Sequence, residues 1–300
     1  MKLIFPLLVA VFVMAQSLFG QVAYSDAQSR VFDGKGADAS IAAIVKAAGD
    51  ADVVFLGEEH DDAVGHAFQA EVFRRLVDAY SGQRPIVLSL EMFEHDVQIV
   101  LDEYLAGLIS EQHFLSSSRP WGNYKTDYRP LVELAKDKKL TIIAANAPRR
   151  YVNMVSRGGR GALEGLSKTA KSWIAPLPYA EASPQYSQKF KALMGPSAEA
   201  QMGIDNILSS QSLWDATMAY WITDGLKRQK NALVVHLNGS FHTASRLGTV
   251  EHLLRYRPKT RAIVVTMKPE TDFKSFDQAK YAGLGDFVVL TDGSVPRSKR

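Results

Sequence analysis

The sequence predicts an α/β fold in which a mostly parallel central sheet is flanked by helices and carries an inserted all-helical subdomain. Short β-branched runs recur along the chain, and most are continuously apolar, as strands buried on both faces must be. Helical segments separate the early runs, and strands that alternate with helices form parallel sheets. Six strands are predicted, at residues 52–56, 85–90, 140–145, 232–237, 261–267 and 287–290.

The segments between the first strands each carry one apolar face. In residues 63–80, Phe68, Val72 and Leu76 recur at the spacing of a helix face. Residues 129–138 have Pro130 near their start, where a helix tolerates proline best. We therefore predict helices over both ranges.

The alternation of strand and helix stops in the middle of the chain. Residues 151–230 contain no credible strand and have the pattern of helices interrupted by glycine and proline. We predict that 21–150 and 231–291 form one α/β domain and that 151–230 form a helical subdomain inserted between the third and fourth strands. The basic end of the chain, residues 292–300, is predicted to be a disordered tail.

The first residues have the features of an export signal. Lys2 precedes an apolar run over residues 3–14, and smaller and more polar residues lead to Gly20. A membrane anchor is the alternative, but a spanning helix needs about 20 apolar residues and this run is shorter. We predict a cleaved signal peptide over residues 1–20 and a periplasmic or secreted mature protein without a membrane span.

Composition excludes several classes of protein. The chain has no cysteine, so disulfides, thiolate metal sites, cysteine nucleophiles and a lipoprotein anchor are excluded. Its 35 basic and 32 acidic residues are interleaved, which gives no support for nucleic acid binding. Dinucleotide fingerprints, phosphate loops, nucleophile elbows and the His-Glu-x-x-His zinc motif are absent.

Polar side chains follow four of the six predicted strands. Glu58 and His60 follow the first strand, Glu91 the second, Asn146 the third and His242 the fourth. Because the carboxyl ends of parallel strands meet at one edge of a sheet, and ligands of open α/β sheets bind there, we expect these side chains to share a site.

Each candidate also has a structural interpretation. An acidic loop after the first strand caps the next helix in many proteins, and we prefer that role for residues 61–62. For Glu58 and His60 we prefer a functional role, because an apolar strand leads directly into them. Glu91 needs a proton, a cation or a histidine partner, since a buried unpaired carboxylate is costly. His66, on the following helix, fits a core residue and a ligand equally well.

These residues resemble the ChaN-like haem-binding uptake family, part of a wider group that includes erythromycin esterases and the Tiki and TraB proteins. The resemblance covers nearly the whole mature chain, and its motifs occur in the family's order. They are residues 55–60 with His66 and Gln69, residues 90–93, Trp121, Tyr128 and Pro130, residues 144–151, Asp215 with residues 218–219, and residues 238–242.

The resemblance implies a parallel-sheet domain with a helical subdomain. For the best-known members it also implies two haems stacked face to face at a dimer interface, with tyrosine as the iron ligand. On this sequence the expected ligand is Tyr151, although a helix residue packed under the subdomain is an equal alternative, and Arg149 and Arg150 are expected to pair with the haem propionates. His60 and His66 are the other expected haem contacts.

The resemblance therefore predicts a haem-binding homodimer that serves iron uptake and holds no separate metal ion. Characterised members of this type are lipoproteins, whereas this chain lacks the anchoring cysteine. The outer-membrane location of those members is therefore not expected here.

A hydrolase is the alternative function, because relatives with similar Gly-x-x-His loops are described as hydrolases. In that case Glu58, His60, Glu91 and His242 would activate water, either directly as base and acid or by holding a divalent metal. The third interpretation is a binding protein that has the same fold but no catalytic activity.

Overall fold

A seven-stranded sheet forms the centre of the protein. The computed structural model describes residues 23–195 and 203–299, so the predicted signal peptide, residues 1–20, lies outside the described residues. The strands are β1 (Ser29–Asp33), β2 (Val53–Glu58), β3 (Ile86–Glu94), β4 (Thr141–Asn146), β5 (Leu233–Gly239), β6 (Ala262–Glu270) and β7 (Phe287–Asp292). Their order across the sheet is β1-β7-β6-β2-β5-β3-β4.

The sheet is parallel except at one edge, which confirms the predicted fold class. β1 pairs antiparallel with β7, and every other neighbouring pair is parallel. All six predicted strands are present, each shifted or extended by a few residues. β1 is the strand that the sequence did not predict. It is short, contains the exposed Arg30 and lies at the edge of the sheet, so it lacks the continuous apolar run of the inner strands.

Register brings the ends of the central strands together. β2 and β5 pair so that Gly57 lies opposite Asn238 and Glu58 lies opposite Gly239. The pairing of β3 with β4 shifts its register between Leu90 and Glu94, so β3 is irregular over the segment that contains Glu91. The carboxyl ends of β2, β3, β4 and β5 are therefore adjacent.

Eleven α-helices lie in the described parts of the chain. They are α1 (Ile41–Ala48), α2 (Ala63–Tyr80), α3 (Gln98–Leu105), α4 (Glu111–Ser118), α5 (Arg129–Asp137), α6 (Arg149–Gly158), α7 (Lys168–Lys171), α8 (Pro184–Met194), α9 (Ile204–Arg228), α10 (Thr249–Tyr256) and α11 (Gln278–Tyr281). Short helical turns occupy Asp26–Gln28, His95–Val97, Tyr124–Tyr128, Arg160–Leu163, Ser240–His242 and Ala244–Arg246. No helix of the described residues is long and apolar enough to cross a membrane.

Helices cover both faces of the sheet. Side chains of α1, α2 and α5 form one hydrophobic core with β2, β3 and β5. Side chains of α9 and α10 form a second core on strands β2, β3, β4, β5 and β6. A third cluster joins α6, α7 and α9, so the helices that begin after β4 pack against α9 rather than against the sheet.

The chain after β7 continues along the loop that follows β2. The sequence predicts disorder for residues 292–300, whereas in the structure Arg297 and Ser298 both contact Asp61. The contacts that hold this end are polar, and none of the hydrophobic clusters includes a residue after Leu290. Apolar patterning in the sequence therefore gave no signal for this arrangement.

Candidate functional site

A cleft of about 520 Å³ lies where the carboxyl ends of the central strands meet. Its volume is in the range of small-molecule sites in proteins. Charged and imidazole groups in the lining are His60, Glu91, Glu94, Arg149 and His242, and the larger apolar side chains are Trp121, Leu193, Trp214 and Phe241. Loops after four parallel strands, together with helices α6, α8 and α9, thus contribute to one site.

Glu58, the last residue of β2, lies behind the cleft and contacts the ring of His60. It is only 1% exposed. One carboxylate oxygen, Oε1, accepts a hydrogen bond from the hydroxyl of Tyr128 (2.6 Å) and lies 3.0 Å from Nδ1 of His60. Trp121 packs edge to face against the His60 ring, with 4.8 Å between centroids. Glu58 and Trp121 together fix the orientation of the His60 imidazole at the cleft.

His66 is a buried partner of the same carboxylate. Its Nδ1 lies 3.3 Å from Oε2 of Glu58 and 3.3 Å from Oε1 of Gln69. Its Nε2 lies 3.2 Å from the carbonyl oxygen of His60 and 3.4 Å from Oδ2 of Asp127. Each of these groups is an acceptor when the carboxylates are ionised, so both ring nitrogens of His66 need a proton. The surroundings of His66 therefore favour the imidazolium form.

Glu58 and His66 shift each other's pKa in opposite directions. Burial alone would raise the pKa of Glu58, but the charge of His66 and the hydrogen bonds from His60 and His66 outweigh burial and lower that pKa to about 2. Burial likewise acts to lower the pKa of His66, but the charge and hydrogen bond of Glu58 raise it to about 9. Near neutral pH the two residues form a buried ion pair.

Asp215 and His242 form a second buried pair on the other side of the cleft. Nδ1 of His242 lies 2.9 Å from Oδ1 of Asp215, which also accepts a hydrogen bond from Thr249 (2.7 Å). Nε2 of His242 lies 3.9 Å from Oε1 of Glu91, too far for a hydrogen bond. The other oxygen of Glu91 accepts from the backbone N–H of Gly239 (2.6 Å). His242 thus presents a ring edge to the cleft beside the Glu91 carboxylate.

The pair also keeps His242 charged near neutral pH. Burial acts to lower the pKa of His242, but the charges of Asp215 and Glu91 raise it to about 9. For Asp215, burial acts to raise the pKa, and the charge of His242 with its hydrogen bond makes the net shift a lowering. His66 and His242 therefore each have a buried carboxylate that stabilises the charge of the ring.

Two glycines allow the loops after β2 and β5 to approach each other. A Cβ at Gly57 would lie 3.1 Å from Cα of Ser240. A Cβ at Gly239 would lie 2.7 Å from both Cε1 and Nε2 of His60 and 3.7 Å from Oε2 of Glu91. A side chain at Gly57 would therefore press on the backbone of Ser240, whereas one at Gly239 would press on the His60 ring. The two glycines thus leave room for the close approach of the loops and for the His60 imidazole beside Glu91.

The basic residues at the start of α6 have different surroundings. Arg149 lines the cleft and makes no ion pair within residues 23–195 and 203–299. Arg150 donates to Oδ2 of Asp96 (2.6 Å) and to the hydroxyl of Tyr151 (3.2 Å). Tyr151 is 7% exposed, packs parallel to Trp173 and does not line the cleft. Arg149 is therefore the arginine whose guanidinium is available to a ligand in the cleft.

The predicted site residues fall into three groups. His60, Glu91, His242 and Arg149 line the cleft, Glu58 and His66 lie behind His60, and Arg150 and Tyr151 are adjacent to each other outside the lining. The sequence predicted that these residues lie near the carboxyl ends of the strands. The structure distinguishes the residues that line the cleft from those that lie behind it or outside its lining.

Several residues of the site were assigned no role from the sequence. Asp215 is the carboxylate partner of His242, Asp127 is a second carboxylate beside His66, and Trp214 and Phe241 line the cleft. A signal for Asp215 was present, because an aspartate inside the apolar stripe of a helix that packs on the sheet needs a buried partner. For Asp127 the equivalent signal is weaker, since it lies in a short helical turn that leads directly into α5 and is too short to show an apolar stripe.

The acidic and imidazole groups at the cleft are arranged in pairs. Within the part of the chain that the structure describes, no three His, Asp or Glu side chains are grouped so that they could hold a metal ion. The pairs Glu58 with His60 and Asp215 with His242 can orient an imidazole and stabilise its charge. These pairs can therefore bind a polar ligand and take part in the transfer of protons.

Comparison with known proteins gives a family and several similar folds. A family model described as haem-binding uptake, Tiki superfamily, ChaN matches residues 44–253, more than half of the chain. The structure described as cofacial heme binding to ChaN of Campylobacter jejuni has a TM-score of 0.70 and 19% identity, and the match covers 91% of this chain and all of that one. No curated protein matches the chain significantly.

Two further solved structures have lower similarity. A succinoglycan biosynthesis protein has a TM-score of 0.52 and 12% identity, with 86% of this chain and 91% of that chain covered. An erythromycin esterase mutant in its open conformation has a TM-score of 0.48 and 12% identity, with 88% of this chain and 83% of that chain covered. At these identities the likeness concerns the fold alone.

Proposed function

We propose that this chain, which belongs to the ChaN family of haem-binding uptake proteins in the Tiki superfamily, binds ferric haem at the cleft and serves iron acquisition. The observation that supports the proposal is the set of side chains that line the cleft in a member of this family. They include aromatic rings, the oriented imidazole of His60, and Arg149, which makes no ion pair among the described residues. With the signal peptide predicted at residues 1–20, the same proposal places the mature protein in the periplasm or outside the cell.

The groups at the cleft fit the chemistry of haem. Trp121, Trp214 and Phe241 offer flat apolar surfaces of the kind against which a porphyrin packs. Arg149 is suited to a propionate carboxylate, because a guanidinium binds carboxylates through two parallel hydrogen bonds. Arg150 is held by Asp96, so of the two arginines Arg149 is the favoured propionate partner.

Tyr151 is the proposed iron ligand. Tyrosine coordinates ferric haem in some proteins, and a cationic donor next to the phenol oxygen stabilises negative charge on that oxygen. Arg150 supplies such a donor, and its guanidinium carbon lies 4.4 Å from the centre of the Tyr151 ring. Because Tyr151 lies outside the cleft lining, the proposal requires that haem extend past Arg149 at an interface between two copies of the chain. Leu193, 68% exposed at the cleft, supports such an interface.

Titration with ferric haem tests this function. The purified protein is expected to show a saturable absorption spectrum of the tyrosinate type and to form dimers as haem is added, measured by optical titration with analytical sizing. Tyr151→Phe should lose the tyrosinate bands and bind haem about 10-fold more weakly, since the iron ligand is gone. Tyr220→Phe, on α9 in the same helical region, is the matched control.

Two outcomes of the titration would contradict the proposal. If the protein gives no saturable haem spectrum, the proposed function is wrong. If Tyr151→Phe leaves both spectrum and affinity unchanged, haem binding stands and the ligand lies elsewhere, with His60 as the next residue to replace.

Hydrolysis is a second candidate function, favoured by the Asp215 and His242 pair. A carboxylate that orients a histidine beside a second carboxylate is an arrangement that can activate water as base and acid. Glu91 would then contact the reacting water, and Glu58 would orient His60 on the opposite side.

Replacement of Glu91 tests hydrolysis. If purified protein cleaves ester or peptide substrates, Glu91→Gln should lower kcat by about 100-fold, as expected for loss of a general base. Glu94→Gln is the control, because Glu94 lines the same cleft but pairs with Arg119. Metal analysis of the same sample decides whether a divalent ion takes part. If the purified protein contains no metal and cleaves neither ester nor peptide substrates, the hydrolase function is wrong.

A further inference from the structure

We infer that the C-terminal segment, residues 293–299, positions His60 by bracing the loop after β2. We call this segment the strap. The inference concerns the placement of His60 in the unliganded protein, so it goes beyond the proposed function and holds whichever ligand the cleft takes.

The strap contacts the loop that leads from β2 into α2. The backbone N–H of Ser298 donates to the carbonyl oxygen of Asp61 (2.8 Å), and Arg297 lies 3.3 Å from the Asp61 carboxylate. Just before the strap, the hydroxyl of Thr291 in β7 donates to Oδ2 of Asp62 (2.6 Å). Asp62 is the N-cap residue of α2, but its side chain accepts this bond instead of a helix amide. The loop is therefore fixed from the side of β7.

A chain of hydrogen bonds connects the strap to His60. The hydroxyl of Ser298 donates to Oδ1 of Asp127 (3.0 Å), and Oδ2 of Asp127 accepts from Asn123 (2.7 Å). Asn123 in turn donates to the carbonyl oxygen of His60 (3.1 Å), and Nε2 of His66 lies 3.2 Å from that oxygen. The same Asp127 carboxylate thus bonds to the strap on one side and to both supports of the His60 backbone on the other.

Burial makes the Ser298 hydroxyl important to this network. Asp127 is 4% exposed, and a buried carboxylate oxygen that loses its donor has little water to replace it. Without Ser298, Asp127 is expected to turn toward solvent, which would loosen Asn123 and His66 against the His60 carbonyl. The effect reaches His60 although no strap residue lines the cleft.

The strap can be removed without removing the core. No residue after Leu290 belongs to a hydrophobic cluster of the described chain, and β7 ends at Asp292. A chain that stops after Val295 keeps the whole sheet and loses only Arg297, Ser298 and their neighbours. Its fold is therefore expected to survive, so a change at His60 can be attributed to the missing contacts.

Nuclear magnetic resonance of the histidine rings tests the inference in the ligand-free protein. The imidazole signals of His60, assigned with His60→Gln, should move or broaden in the chain that stops after Val295 and, to a smaller extent, in Ser298→Ala. Ser298→Thr keeps the hydroxyl and should restore the original signals. Lys299→Ala alters the strap without touching Asp61 or Asp127 and should leave them unchanged. The haem affinity of the truncated chain should fall about 10-fold, which is the lower end of the range seen when a residue that orients a ligand-binding side chain is removed.

The His60 signals decide the inference separately from the proposed function. If truncation and Ser298→Ala leave the His60 signals unchanged while the chain remains folded, the strap does not position His60. The inference is also wrong if Lys299→Ala moves the signals as far as Ser298→Ala does. A full-length protein that fails to bind haem contradicts the proposed function alone, because the ring signals are recorded without ligand.

Discussion

Glu58→Gln is expected to lower the free energy of unfolding by about 3 kcal/mol at pH 5.5, because it leaves His66 as a buried cation without its main counter-charge. The side chain of Glu58 is fully buried, and Tyr128, His60 and His66 all direct polar groups toward it. A glutamine keeps the shape and one acceptor oxygen but supplies no charge. Denaturant unfolding measured by circular dichroism would give the difference from the unaltered protein.

The pH dependence of this loss has a defined form. The pKa of Glu58 falls from 4.5 to about 2, so its contribution to stability is fully present above pH 4.5 and is lost as pH falls toward 2. The pKa of His66 rises from 6.5 to about 9, so its contribution is fully present below pH 6.5 and is lost as pH rises through 9. The stability difference between the two proteins should therefore be largest between pH 4.5 and 6.5 and shrink on both sides.

Glu164→Gln provides the control for this experiment. Glu164 is exposed at the end of the helical turn Arg160–Leu163, so its replacement should change stability by about 0.5 kcal/mol or less. A Glu58→Gln protein as stable as this control at pH 5.5 would show that the charge of Glu58 does not compensate His66.

Most of the fold followed from the sequence because burial on two faces leaves a distinct pattern. Inner strands such as β2 and β5 are largely apolar, with His236 as the polar residue inside the apolar run of β5, and both were predicted almost to their ends. β1 was missed because an edge strand needs only one buried face, and Arg30 interrupts its apolar residues. The path of residues 293–299 was missed for a related reason, since a segment held by single hydrogen bonds has no periodicity to detect.

The candidate site was predictable only in part. Ligands of open α/β sheets bind at the carboxyl ends of the strands, and from this rule we expected His60, Glu91 and His242 to lie close together. In the structure all three line one cleft. The partners Asp127 and Asp215 come from a helical turn and a helix far away in sequence, and their approach depends on packing that spacing does not reveal. The resemblance gave the order of the motifs along the chain, but motif order carries no information on whether a given side chain faces the cleft.

Gly239→Ala is expected to displace His60 from the cleft while the protein stays folded. The backbone at Gly239 has φ −59° and ψ 134°, which alanine adopts without strain. The new methyl group, however, would lie 2.7 Å from Cε1 and Nε2 of His60. The imidazole is the end of a rotatable side chain, so the ring rather than the strand should move, and its contact with Glu58 should break.

Loss of the Glu58 to His60 contact should cost about 1–2 kcal/mol of stability, whereas haem affinity should fall about 100-fold because an oriented imidazole is lost from the cleft. Gly161→Ala is the control, since a Cβ there meets no atom within 4 Å. Optical haem titration and thermal unfolding of both variants separate the two effects. If Gly239→Ala binds haem as tightly as Gly161→Ala although its His60 ring signals have moved, His60 does not contact the haem, and the cleft's walls and Arg149 must supply the binding.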